Sequence, residues 1–166
     1  MKNNMTKRLA FLSVAIALSM ILSFVESQIP PLSTIPGVKI GLANIVTVFL
    51  LYKLGIKEAV TVSIIRVLLS ALLFGSFVSL MYSAFGAVAA LIIMIPAKRF
   101  TPFSPIGVSV LGAVAHNAGQ ILAALILLGN AAIVYYLIPL TVSGLIAGIL
   151  VGLLGGIVAE RISIKK

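Results

Sequence analysis

The chain contains no cysteine and no aspartate, and its only carboxylate side chains are Glu26, Glu58 and Glu160. Without cysteine there is no disulfide, thiolate nucleophile or cysteine metal site. Without aspartate there is no aspartate-rich magnesium motif of the kind that ionises a diphosphate. The single histidine, His116, has no second histidine or carboxylate near it in sequence to complete a zinc site. A phosphate-cradling P-loop, a G-x-G-x-x-G turn and a G-x-S-x-G elbow are also missing. Few groups are left for acid–base or metal-assisted chemistry. The expectation is a protein that is not an enzyme and carries no cofactor or metal.

Charge is scarce as well. Only 9% of the 166 residues are charged and 61% are hydrophobic, whereas a soluble domain carries about 25% charged residues. A mean hydropathy of +1.28 points to a polytopic membrane protein. The long apolar runs lack the alternation of a transmembrane β-barrel, so the fold class is all-α. At roughly 20 residues per crossing the length accommodates about six helices with short loops. That predicts a single integral membrane domain over residues 1–166, with no room for an extramembrane catalytic domain.

Proline, glycine and charged residues divide the chain into six segments, near residues 6–26, 40–52, 57–74, 77–97, 105–128 and 131–159. Thr6 is a candidate N-cap for the first. That segment has a basic start but no clear small-residue cleavage site, so it reads as a retained helix rather than a signal peptide. The second is short, and the third and fourth meet at a tight Gly75-Ser76 turn.

The net charge of +9 does not form a basic face for nucleic acid. Lys2, Lys7, Arg8, Lys53, Lys57, Lys98, Arg99, Arg161, Lys165 and Lys166 all fall on one side of the segments, out of 12 cations in total. The other side has only Lys39, and Arg66 lies within the third segment. The positive-inside rule then predicts that both termini are cytoplasmic.

This orientation gives each polar residue a depth. Lys39 precedes the second segment on the outer side, and Asn44 lies about one turn deeper. Arg66 sits near the bilayer midplane, with Ser63 and Ser70 on the same helix face. His116, Asn117 and Gln120 run outward from the middle of the fifth segment, and Gly112 and Ala124 extend the His116–Gln120 stripe. An intramembrane arginine is costly and should face the bundle interior with a partner. The expected site is an outward-facing pocket lined by Lys39, Asn44, Arg66, His116, Asn117 and Gln120, suited to a small polar or anionic ligand. Simpler roles stand beside this one. Arg66 could pair with Glu26, His116 and Asn117 could join helices, and Lys39 could snorkel to the interface.

Gly144, Gly148, Gly152 and Gly156 recur every fourth residue, a ladder for close helix approach either within the bundle or to a partner subunit. Ser13 and Ala17 share that spacing in the first segment, with Ala15, Ser19 and Ser23 on an adjacent line.

Three stretches carry a family resemblance over nearly the whole length: "IPGVKIGLANIVTVFLLYKLG" (residues 35–55), "RVLLSALLFGS" (66–76) and "FSPIGVSVLGAVAHNAGQI" (103–121). The chain resembles the Gx transporter family, also described as heptaprenyl diphosphate synthase component I. It is similar in turn to the substrate-binding (S) components of energy-coupling factor transporters. That resemblance implies a six-helix protein of the bacterial plasma membrane, with a ligand bound from the outer side. The implied partners are a transmembrane coupling subunit, contacted through Ser13 and Ala17, and two ATPase subunits. Serine at position 13 replaces the first alanine of that interface motif. Two other readings remain open: a membrane accessory subunit of isoprenoid synthesis, and a non-transport subunit of a redox or assembly complex.

Overall fold

The computed structural model describes residues 2–28 and 41–162. Six α-helices follow in order: α1 (Lys2–Gln28), α2 (Asn44–Lys53), α3 (Ile56–Phe74), α4 (Phe77–Phe100), α5 (Pro105–Leu128) and α6 (Leu137–Arg161). A 3-10 helix, Ala131–Tyr136, precedes α6. Among the described residues there is no strand.

Local chemistry sets most of the boundaries. The Ser76 hydroxyl accepts the Ser79 amide and starts α4 one residue after Gly75 ends α3. Ser104 does the same for the Gly107 amide, with Pro105 at the first helical position, where its missing N–H costs nothing. Gly129 ends α5 in the left-handed conformation, φ 61°, which glycine adopts without steric cost.

Four expected boundaries are corrected. Thr6 is not an N-cap, since α1 already runs from Lys2. The second segment is helical only from Asn44, because a turn at Gly41 (φ 77°) precedes it. The fourth continues through Pro96 to Phe100. The sixth begins as a 3-10 helix and becomes α-helical at Leu137, two residues ahead of Pro139.

α2 is at the centre. Val46, Thr47, Val48, Phe49, Leu50 and Leu51 are all buried, as expected of a helix enclosed on every side. It packs against α3 and α6 and touches α1 and α5; α3 meets α4, α4 meets α5 and α5 meets α6, while α1 docks on α3. At 10 residues and roughly 1.5 Å per residue, α2 extends only about 15 Å, half the thickness of a hydrocarbon core. Both of its ends are tied down. Gly41, at its entry, donates its amide to the Glu26 carboxylate of α1. At its exit Lys98 donates to the Leu51 carbonyl and stands over the Tyr52 ring, and the Tyr52 hydroxyl donates to the Phe103 carbonyl at 2.8 Å.

The glycine ladder packs within the bundle. Gly148 faces the backbone of Val110, Gly152 that of Ile106, and Gly156 the Pro105 ring, all on α5. Those glycines therefore serve the α5–α6 contact and not a partner subunit.

The surface is itself apolar. Every α-helix except α2 presents large exposed hydrophobic side chains, among them Val14, Leu72, Ile92, Ile126 and Ile146. α1, α4, α5 and the stretch 131–161 are long and apolar enough to cross a membrane. α2 is too short for that, and α3 carries Lys57, Glu58 and Arg66 within its 19 residues. The six expected segments are thus six helices, four of which meet the length and composition of a membrane span.

Candidate functional site

The polar residues inside the bundle come from helices that measure out a common depth. From the basic end, where α2 finishes and α3 and α5 start, Asn44 is about 14 Å along α2, Arg66 about 15 Å along α3 and His116 about 17 Å along α5. These three helices, with α1, α4 and α6, enclose a cavity of about 150 Å³. Asn44, Arg66, His116, Asn117 and Gln120 all line it. Lys39 lies outside the described residues. Ser63 and Ser70, one turn either side of Arg66, line it too. Nearer the basic end Val48, Met94 and Ser109 line it, and Leu91 and Val151 are apolar neighbours at the level of Arg66. At the opposite end the exposed Ser27, Phe74 and Gly75 reach it.

Two glycines hold polar side chains in place. The His116 ring lies on Gly86 of α4, where a Cβ would fall 2.6 Å from Cε1. Asn117 Nδ2 donates to the Leu140 carbonyl of α6 at 2.5 Å, and a Cβ on Gly144 would come within 2.6 Å of that nitrogen. Gly144, expected only as a rung of the packing ladder, therefore also makes room for a cavity-lining amide. Asn117 does join helices, as its simpler role required, while still facing the cavity.

Arg66 does not pair with Glu26. The ion pair among the described residues is Arg8–Glu58, and Glu26 is held by the Gly41 amide, although its charge is within electrostatic reach of the guanidinium. Arg66 Nε and Gln120 Oε1 are buried without a hydrogen-bond partner among the described residues. A buried polar atom left unmet costs about 1–3 kcal/mol, so both atoms favour something that fills the cavity.

Several lining residues were not anticipated. Ser23, Thr47, Ser79, Ser83 and Ser109 face the cavity, and Glu26 borders it while fixing the α2 entry. Serine in an apolar helix commonly bonds to its own backbone, so its identity alone gives no signal of a site. Ser13 and Ala17 are exposed on α1, away from the cavity, whereas Ala15 and Ser19 on the adjacent line are buried. The Ser13 hydroxyl donates to the Leu9 carbonyl at 3.0 Å. Among the described residues no cluster of histidine or acidic side chains could hold a metal.

The class follows from these features: an all-helical, membrane-type bundle, apolar outside, with a polar cavity at mid-depth. Residues 15–158 match the family described as heptaprenyl diphosphate synthase component I, and the chain belongs to that family. No curated protein and no solved structure matches.

Proposed function

We propose that this protein is the substrate-binding membrane component of an energy-coupling factor type importer, taking a small polar or anionic ligand from the outer side. The observation that supports this reading most is the convergence of Asn44, Arg66, His116, Asn117 and Gln120 from three helices on one cavity. It acts without catalysis of its own. Both termini are cytoplasmic, the membrane is the cell membrane, and the chain is multi-pass. Ligand enters at the end bordered by Ser27, Phe74 and Gly75 and is held by the polar layer. A coupling subunit with two ATPases then drives release on the other side. The exposed α1 face carrying Ser13 and Ala17 is available to such a subunit, because small residues let another helix approach closely.

The family description suggests a second reading, an accessory subunit of isoprenoid synthesis. Cavity size weighs against a long isoprenoid tail there, since a volume near 150 Å³ is comparable to cavities that hold a molecule the size of benzene.

Native mass spectrometry of the protein purified from its own membranes separates the two. The importer reading expects a transmembrane coupling subunit, ATPases and a bound small molecule. Co-purification with a soluble prenyl synthase subunit and no ATPase would sink it.

A further inference from the structure

The hydrogen-bonding groups around Arg66 are not all met within the bundle. The whole chain has three carboxylate side chains, and the one whose charge reaches Arg66, Glu26, forms no ion pair with it. Glu58 pairs with Arg8, Glu26 accepts the Gly41 amide at the entry of α2, and Glu160 is exposed near the end of α6. Arg66, at mid-depth, has no ion-pair partner among the described residues, and its Nε is unmet. An arginine at this depth is retained only with a counter-charge or water. On the same cavity, Gln120 is 6% exposed and its Oε1 accepts no hydrogen bond. The site thus offers an unmet cationic donor and an unmet acceptor.

Resting on the importer reading above, we infer that the ligand is a compact molecule with a single negative charge and a hydrogen-bond donor. Its anionic group binds Arg66 and its N–H or O–H meets Gln120. Glu26 acts as the charge-selecting residue. Its carboxylate borders the same cavity, already stabilised by the Gly41 amide, and repels a second negative charge. A monoanion gains the guanidinium; a dianion of the same size must also face Glu26. A diphosphate, with several negative charges, is disfavoured for that reason. The cavity volume of about 150 Å³ suits a ligand of about one ring.

The test uses full-length protein in detergent or nanodiscs and single-ring probes, with binding read as thermal stabilisation against concentration. The probes are benzoate, the three hydroxybenzoate isomers, terephthalate, and benzylamine as the cationic control. Benzoate should bind, at least one hydroxybenzoate should bind several-fold more tightly, and terephthalate at least about tenfold more weakly. Glu26→Gln keeps an acceptor for the Gly41 amide and should largely close the gap between terephthalate and benzoate. Arg66→Gln should lose all anion binding. Should Arg66→Gln fail to fold, the Glu26→Gln comparison still decides. The inference is overturned if no monoanion stabilises the wild type, if benzylamine matches benzoate, or if Glu26→Gln leaves the terephthalate gap unchanged. A neutral or cationic molecule co-purifying with the coupling module would overturn this charge assignment alone and leave the importer reading standing.

Discussion

The imidazole of His116 lies on the α4 backbone at Gly86, so close that a Cβ there would fall 2.6 Å from Cε1 and 2.7 Å from Nε2. Glycine at that position lets a polar ring from α5 sit between two helices and still reach the cavity. Gly86→Ala should push the ring inward or spread α4 from α5, at a cost of about 1–3 kcal/mol for overpacking. The checks are a lower thermal midpoint and weakened ligand binding. In a His116→Ala background the same substitution should cost much less.

Asn117 and Gly144 form a parallel pair. Gly144→Ala places a methyl group against Nδ2 and should break the 2.5 Å bond to the Leu140 carbonyl. A double-mutant cycle with Asn117→Ala should return a coupling of about 0.5–3 kcal/mol. Additive single effects would mean that Gly144 matters only to backbone packing.

Lys98 joins the end of α4 to the end of α2. Lys98→Met keeps the apolar stem but leaves the Leu51 carbonyl without its donor and removes the cation from the Tyr52 ring. Thermal unfolding in detergent should register a loss of about 1–3 kcal/mol. The exposed Lys57 on α3 provides the comparison, and Lys57→Met should change stability by less than about 0.5 kcal/mol.

Having no cysteine, the chain permits clean single-site labelling. Phe77 and Phe100 mark opposite ends of α4 and are both exposed. With cytoplasmic termini, Phe77→Cys should react with a membrane-impermeant maleimide in intact cells, and Phe100→Cys only after permeabilisation. The reverse pattern would invert the topology and put the cavity mouth on the wrong side for an importer.

Depth counting from the charged loops was enough to bring Asn44, Arg66 and the His116–Gln120 stripe to one level, because an α-helix converts residue number into height at a fixed rise. The central position of α2 was not legible. A short apolar helix reads the same whether it faces lipid or is enclosed by α1, α3, α5 and α6. The contact between Glu26 and Gly41 also escaped, since it depends on how the chain returns between α1 and α2. Lys98 was read only as a topology signal, and its bond to the Leu51 carbonyl is tertiary. The glycine ladder fitted either the bundle interior or a partner subunit, and only the α5 backbone opposite it decided between them.

The central claim is that the polar layer around Arg66 holds a ligand and is not simply a structural knot. Native mass spectrometry of wild-type protein and Arg66→Gln, purified side by side from the same membranes, tests it most directly. The account predicts a small-molecule adduct on the wild type and none on the variant, with the variant still folded by thermal unfolding and size-exclusion profile. An adduct retained by the variant, or a variant that loses the bundle while its remaining folded fraction still binds, would contradict it.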